Sequence, residues 1–126
     1  MINVTQSFLP PIDEYSKILQ KSWDKKWITN RGELILELEN KLKIFLGIEN
    51  ITITTNGTLP LQIAIKALEL KGEIITTPFS YIASSSVISW ENCTPVYVDI
   101  HPEYLTIDES KIEEKITSKT KAILPV

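Results

Sequence analysis

The chain has 126 residues, of which 43% are hydrophobic, and it carries a net charge of −3. This length allows one core of ordinary domain size and leaves no room for a second domain. Acidic and basic residues are interspersed, so no basic stripe could neutralise a phosphate backbone, which argues against nucleic acid as a partner. One cysteine and one histidine form no clustered ligand set, which argues against a metal site.

The N-terminal segment, MINVTQSFLPPIDEY, lacks the cationic region and apolar core of a signal peptide. No stretch approaches the ~18 consecutive apolar residues that a membrane span requires. We therefore expect a cytoplasmic location and no membrane partner.

Apolar residues recur every three to four positions in the first part of the chain. This spacing predicts an amphipathic helix over residues 11–23 that opens at a proline, and a second helix over residues 34–46 that Gly47 ends. The loop between them carries cations and Trp27. It could contact an anionic nucleotide-sugar, or it could be an ordinary solvated loop.

After Gly47 the chain alternates between short β-branched runs and helical stretches, an order typical of a parallel α/β fold. Ligands of such folds gather where the carboxyl ends of strands meet the following helices. The predicted strands are residues 51–55, 73–77, 95–100 and 122–126, and the predicted helices are residues 59–68, 81–90 and 108–116.

The last predicted strand, AILPV at residues 122–126, has the composition of a central buried strand. A helix would normally follow such a strand and cover it. We therefore expect the chain to be a fragment of a longer α/β domain.

The first strand-to-helix junction contains Asn56, Gly57 and Thr58. Gly57 would let backbone approach a ligand closely, and the helix start supplies N–H groups and the positive end of the dipole, which together suit a phosphate group. In the alternative interpretation, Asn56 or Thr58 caps the helix and Gly57 makes the turn. The local pattern leaves both open.

The second junction has the sequence TTPFSYIAS at residues 76–84. An aromatic ring here could stack on a planar cofactor, and Tyr81 is the candidate. Phe79 competes for this role, and either ring could be an ordinary core or rim aromatic.

Several segments together resemble the DegT/StrS family of sugar aminotransferases. The resemblance covers nearly the whole chain and keeps its order, and within the family it is closest to enzymes that aminate a dTDP-4-keto-6-deoxyhexose. The segments that carry it are FLPPIDEY, WITNRGELILELENKL, ITTNGTLPLQIAIKAL, EIITTPFSYIASSSVISWENCTPVYVDI and KAILPV.

The resemblance implies a fold-type I aminotransferase, of which residues 1–126 would form the N-terminal portion of the large domain that binds pyridoxal 5′-phosphate. It implies that Gly57 and Thr58 contact the cofactor phosphate, that Asn56 flanks them and that Tyr81 stacks on the pyridine ring. The family usually has Pro-Ser-x-Thr-aromatic at the second junction, whereas the proline here, Pro78, is displaced by one position, which keeps Phe79 in competition with Tyr81.

On the substrate side, the resemblance implies contacts from Thr29, Asn30 and Gly32 in the loop after Trp27. The implied reaction transfers an amino group, typically from glutamate, to a keto-sugar nucleotide in a homodimer, within amino-sugar biosynthesis for O-antigen or another surface polysaccharide. The family's covalent cofactor anchor, a lysine, and the aspartate that pairs with the pyridinium nitrogen correspond to positions after Val126. We therefore assign no catalytic residue and expect the chain alone to be inactive.

Two other functions fit the same residues. One is a sugar dehydratase of the same family that uses pyridoxamine phosphate and has histidine in place of the anchoring lysine. The other is a non-catalytic α/β binding module in which the first junction merely holds a phosphate.

Overall fold

The computed structural model describes residues 5–126 and divides the chain into two compact units, unit 1 up to residue 53 and unit 2 from residue 54 to 126. Unit 1 contains helix α1 (Ile12–Lys25) and helix α2 (Glu33–Leu46). Both predicted helices are confirmed. The first begins directly after Pro11, and the second ends at Gly47, whose φ of +66° is the left-handed conformation of a helix C-cap.

Unit 2 contains a parallel sheet of three strands, β1 (Glu73–Thr76), β2 (Thr94–Tyr97) and β3 (Thr120–Ile123), in the order β2-β1-β3. Helices α3 (Thr58–Ala67) and α4 (Ala83–Trp90) precede and follow the central strand β1 in the sequence. The predicted α/β class with a mostly parallel sheet and flanking helices is therefore confirmed.

The central strand β1 contributes side chains to a separate core on each face of the sheet. Ile74 packs in one cluster with Val87 and Ile88 of α4, whereas its neighbour Ile75 packs in the other with Val98. Successive side chains of a strand point to opposite faces, so a strand buried on both sides has adjacent apolar residues, as Ile74 and Ile75 are here.

Residues 51–55 were predicted as a strand, and this prediction is wrong for the structure. The segment is irregular, and it pairs with no strand of the described chain. A run of β-branched residues fits an extended backbone, but a strand also needs a neighbour that accepts and donates its main-chain hydrogen bonds.

Two further elements differ from prediction. Residues 108–116 form two 3₁₀ turns, Glu109–Lys111 and Glu113–Lys115. The Asp108 carboxylate accepts the Ser110 N–H and so favours a local turn at the start of the segment. The last strand is Thr120–Ile123, and among the described residues it lies at the edge of the sheet beside β1, not at its centre.

The Asp108 side chain holds the 3₁₀ turn Glu109–Lys111 in place, and its ionisation makes part of the stability of the fold depend on pH. Its Oδ1 accepts the Ser110 hydroxyl at 2.6 Å and its Oδ2 lies 2.9 Å from Lys111 Nζ. The hydrogen bond from the Ser110 hydroxyl, followed by that from Lys111, lowers the pKa of Asp108 from 3.8 to about 2. The ionised carboxylate therefore stabilises the fold above its ordinary pKa, and this stability is lost as the pH falls towards 2.

We expect Asp108→Asn to lower the melting temperature at pH 7 and to have progressively less effect as the pH falls from 4 to 2. Thermal unfolding monitored by circular dichroism across this range is the measurement. Glu103→Gln, which removes an exposed carboxyl from a nearby loop, is the matched control and should leave the pH profile unchanged. If the melting temperature of Asp108→Asn changed with pH in parallel with that of the parent chain, Asp108 would not be the source of this pH dependence.

Among residues 5–126, no helix is both long and apolar enough to cross a bilayer.

Candidate functional site

The first junction is organised by the Asn56 side chain. Its Oδ1 accepts hydrogen bonds from the backbone N–H groups of Thr58 and Leu59, each at 3.0 Å, and the Thr54 hydroxyl donates to the Asn56 carbonyl oxygen at 2.8 Å. Asn56 thus caps α3 in the way that asparagine commonly caps helices. Of the two interpretations of this junction, the structure shows the cap, and the cap leaves the phosphate interpretation open.

Gly57 occupies a position whose conformation does not require glycine. Its φ of −75° and ψ of −16° are accessible to any residue, and a Cβ added there would meet no protein atom within 4 Å. The missing side chain therefore relieves no backbone strain and no clash with the described chain. What it does is keep the surface open at the start of a helix.

This open surface fits a phosphate group. Among the described residues, neither the Gly57 N–H nor the Thr58 hydroxyl has a hydrogen-bond partner, so both are available as donors. The positive end of the α3 dipole lies at the same place and favours an anion. Asn56 already uses the next two N–H groups, which limits the donors that a phosphate could find without displacing it.

The second junction is held by hydroxyl groups. The buried Thr77 accepts the Phe79 N–H on its Oγ1 at 3.3 Å, and Ser80 Oγ lies 3.1 Å from Ser84 Oγ. The Ser84 N–H donates to the Tyr81 carbonyl oxygen at 3.1 Å. The backbone that carries both aromatic candidates is therefore fixed to the end of β1 and to the start of α4.

Both aromatic rings of this loop are available for stacking. Tyr81 is 79% exposed and Phe79 is 58% exposed, so neither is a core residue. The structure thus removes the interpretation in which these rings are core residues, and it leaves open whether they are ordinary rim aromatics or stacking rings. The choice between Tyr81 and Phe79 stays a prediction.

The two junctions lie at the same end of unit 2. Helices α3 and α4 pack against each other, and the Cys93 thiol, just after α4, donates to the Leu70 carbonyl oxygen, just after α3, at 3.3 Å. Packed helices whose carboxyl ends lie together run in the same direction. Their N-terminal ends, which begin at Thr58 and Ala83, are therefore neighbours at the edge where β1 ends.

The substrate-side candidates Thr29, Asn30 and Gly32 belong to unit 1. They form the turn before α2, in which Trp27 Nε1 donates to the Asn30 carbonyl oxygen at 3.3 Å and the Gly32 carbonyl oxygen accepts the Ile35 N–H at 3.1 Å. All three lie in a local loop whose geometry is set by Trp27.

Sequence analysis missed the two threonines at the end of β1. Thr76 and Thr77 are fully buried, and Thr76 Oγ1 has no hydrogen-bond partner among the described residues. A valine would fill the same space without a buried hydroxyl. Two consecutive threonines at the end of a buried strand are therefore a sequence signal for a role of their hydroxyl groups. Thr77 acts on the site through the Phe79 N–H, and nothing in the structure explains the Thr76 hydroxyl.

Comparison with known proteins identifies the family of the chain. Residues 12–126 match the DegT/DnrJ/EryC1/StrS aminotransferase family. The chain is 49% identical over 125 residues to a dTDP-4-amino-4,6-dideoxy-D-glucose transaminase of Escherichia coli, covering 99% of this chain and 34% of that protein. It is 38% identical over 105 residues to a GDP-perosamine synthase of Escherichia coli O157:H7, covering 82% of this chain and 29% of that protein.

Solved structures are similar over the same region. NtdA from Bacillus subtilis, solved with bound cofactor PMP, has a TM-score of 0.84 at 31% identity and matches 90% of this chain and 26% of its own. DesI, solved in the presence of its TDP-sugar product, has a TM-score of 0.82 at 27% identity and matches 91% of this chain and 29% of its own. The chain thus spans about a third of the length of the curated relatives it matches. It belongs to the DegT/DnrJ/EryC1/StrS aminotransferase family.

Proposed function

We propose that this chain supplies the cofactor-phosphate site and the ring-stacking loop of a pyridoxal-phosphate-dependent nucleotide-sugar aminotransferase. The observation that carries the proposal is the open face at Gly57, at the start of α3 and beside the loop that presents Tyr81. Family membership supplies the identity of the phosphate: it is that of pyridoxal 5′-phosphate, or of the pyridoxamine form bound in NtdA.

Four residues hold the cofactor in this proposal. Gly57 and Thr58 donate to the phosphate from the backbone N–H and the hydroxyl, and Asn56 keeps the turn in place through its cap. Tyr81 stacks on the pyridine ring, with Phe79 as its competitor; an offset aromatic contact contributes about 0.5–1.5 kcal/mol beyond burial.

Pyridoxal phosphate, when bound, supplies the electron sink through which an amino group passes from a donor to a keto sugar. The residues of this chain bind and orient it, and none of them is assigned a proton-transfer step. In this proposal the covalent lysine anchor and the aspartate partner correspond to positions after Val126, as the family resemblance implies. The chain alone is therefore expected to be inactive.

The substrate in this proposal is a keto-deoxysugar nucleotide of the dTDP-4-keto-6-deoxyhexose type, after the name of the relative at 49% identity. Thr29, Asn30 and Gly32 contact it, glutamate is the amino donor, and the full-length enzyme is a cytoplasmic homodimer. The product would enter O-antigen or another surface polysaccharide, in keeping with the perosamine and spore-coat relatives. The relatives' names do not favour the sugar dehydratase or the non-catalytic module.

Turnover tests this proposal. We expect the purified chain, with pyridoxal phosphate, glutamate and dTDP-4-keto-6-deoxy-D-glucose, to form no amino sugar, and we expect borohydride to trap no cofactor stoichiometrically on any of its lysines. Activity should appear when a polypeptide matching the remaining length of the Escherichia coli relative is added. If the two polypeptides fold together and still form no amino sugar, the proposed aminotransferase activity is refuted. If borohydride fixes the cofactor stoichiometrically on one lysine of this chain, the proposal that the chain lacks the anchoring lysine is refuted.

A further inference from the structure

The loop that follows β2, residues 101–106, is closed at its base by backbone contacts. The His101 N–H donates to the Thr106 carbonyl oxygen at 2.8 Å, and an antiparallel bridge joins Ile100 to Ile107. Because β1 and β2 are parallel, their carboxyl ends lie at the same edge of the sheet. The loop therefore lies at the edge that carries the two junctions.

The His101 side chain accepts two backbone N–H groups of this loop. Its Nδ1 accepts the Glu103 N–H at 3.2 Å and the Tyr104 N–H at 3.4 Å. The residue between, Pro102, has no N–H, so these are the first two donors after His101. Asn56 accepts the N–H groups two and three positions ahead in the same way, and asparagine and aspartate are the usual residues in this role. His101 is therefore the cap of the loop.

A stacked ring keeps the imidazole in this orientation. The centroids of the His101 and Tyr104 rings are 4.6 Å apart and their planes meet at 23°, a spacing at which aromatic rings attract each other. His101 is half-buried and Tyr104 is exposed, so the pair lies at the surface. The imidazole is therefore held with Nδ1 towards the two N–H groups, and protons of the solvent can still reach it.

The cap requires a neutral imidazole. Nδ1 accepts a hydrogen bond only while it carries no proton, and a protonated imidazole is a donor at both nitrogens. Histidine side chains commonly change their charge between pH 5 and pH 8. Protonation would therefore replace the acceptor of the cap with a third donor that faces the two N–H groups. An asparagine cap keeps its acceptor over this range, because its amide group does not titrate.

No carboxylate of residues 5–126 forms an ion pair with His101. The charged groups of the loop and of the segments that adjoin it are Asp99, Glu103, Asp108, Glu109, Lys111 and the carboxyl terminus at Val126. Asp108 is paired with Lys111 at 2.9 Å, and Asp99 accepts the N–H of the residue that follows it. A cation–π contact with Tyr104 would hold the protonated ring, but it would not restore the acceptor.

We propose that His101 is a pH-sensitive cap, which holds the Glu103 and Tyr104 N–H groups when the imidazole is neutral and releases them when it is protonated. The hydrogen bonds of the cap are present at pH 8 and are lost as the pH falls to 5. The device rests on the geometry of the loop alone, so it does not depend on the cofactor site or on the proposed function. His101 is the one histidine of the chain, which makes its titration unambiguous.

Solvent-exchange NMR of the full ¹⁵N-labelled chain at pH 8 and pH 5 tests this, with rates expressed as protection factors that correct for the intrinsic effect of pH on exchange. We expect the protection of the Glu103 and Tyr104 amides to fall roughly two- to tenfold at pH 5, the effect of one net hydrogen bond. The Asp108 N–H, which donates to the Asp99 carbonyl oxygen at 2.9 Å, lies outside the cap and should keep its protection. Equal protection of Glu103 and Tyr104 at both pH values would overturn the proposal.

Two substitutions separate the imidazole from other titrating groups. His101→Asn keeps an acceptor that does not titrate, so both amides should be protected at pH 8 and at pH 5. His101→Leu removes the acceptor, so both should be unprotected throughout. If His101→Asn lost protection between pH 8 and pH 5 as the parent chain does, another group would cause the change and the proposal would be overturned. The same conclusion would follow if Glu103→Gln, which removes the carboxyl group of the loop, abolished the pH dependence.

Discussion

Gly72→Ala is expected to destabilise unit 2 by about 3 kcal/mol, enough to unfold a marginal domain at moderate temperature. Gly72 has a φ of +134°, a conformation that L-residues rarely adopt, and an added Cβ would collide with the backbone oxygen of Lys119. That oxygen accepts the Glu73 N–H at 2.9 Å, and Gly72's own carbonyl oxygen accepts the Thr94 N–H at 2.8 Å. The methyl group would therefore disturb both neighbours of β1.

Urea unfolding followed by circular dichroism measures this loss. Gly47→Ala, at a φ of +66° with nothing near its Cβ, is the matched control in unit 1 and should cost only about 1 kcal/mol of backbone strain. If Gly72→Ala lowered the free energy of unfolding no more than Gly47→Ala does, the Lys119 backbone oxygen could not lie as close to Gly72 as the structure has it.

Gly57→Ala should have the opposite profile, with a large effect on binding and a small one on stability. Because Gly57 has helical φ and ψ and faces open space, alanine should change the free energy of unfolding by at most about 1 kcal/mol, towards greater stability. The same methyl group would occupy the space proposed for the phosphate. We expect the affinity for pyridoxamine 5′-phosphate to fall at least about tenfold, the effect of losing one charge-assisted hydrogen bond.

Fluorescence or calorimetric titration with pyridoxamine 5′-phosphate measures that affinity, and the unphosphorylated pyridoxamine isolates the contribution of the phosphate. Thr58→Val should weaken binding without unfolding the chain, and Thr106→Val, at an exposed threonine in another loop, should not. If Gly57→Ala bound pyridoxamine 5′-phosphate as tightly as the parent chain does, the open surface at Gly57 would not be part of the phosphate site.

The helices were predictable because their ends carry local signals. Pro11 opens α1, Gly47 closes α2, and the apolar spacing in between needs no knowledge of distant residues. The strand β1 was predictable for a related reason, since a strand buried on both faces has adjacent apolar residues, here Ile74 and Ile75. Residues 51–55 have the same composition, but a strand also requires a partner, and that requirement is not encoded locally.

The site was predictable in type but not in detail. The sequence located both junctions, yet whether Asn56 caps α3 and whether Gly57 faces protein or open space depend on three-dimensional packing. The same limit applies to the exposure of Tyr81.

The most direct test of the cofactor-phosphate site is an amide chemical-shift titration of the ¹⁵N-labelled chain with pyridoxamine 5′-phosphate, which cannot react with lysine as the aldehyde form does. We predict the largest shifts at the Gly57 and Thr58 amides and in the loop around Tyr81, and no comparable shifts with pyridoxamine. Equal shifts with both compounds, or shifts confined to other parts of the chain, would contradict the account.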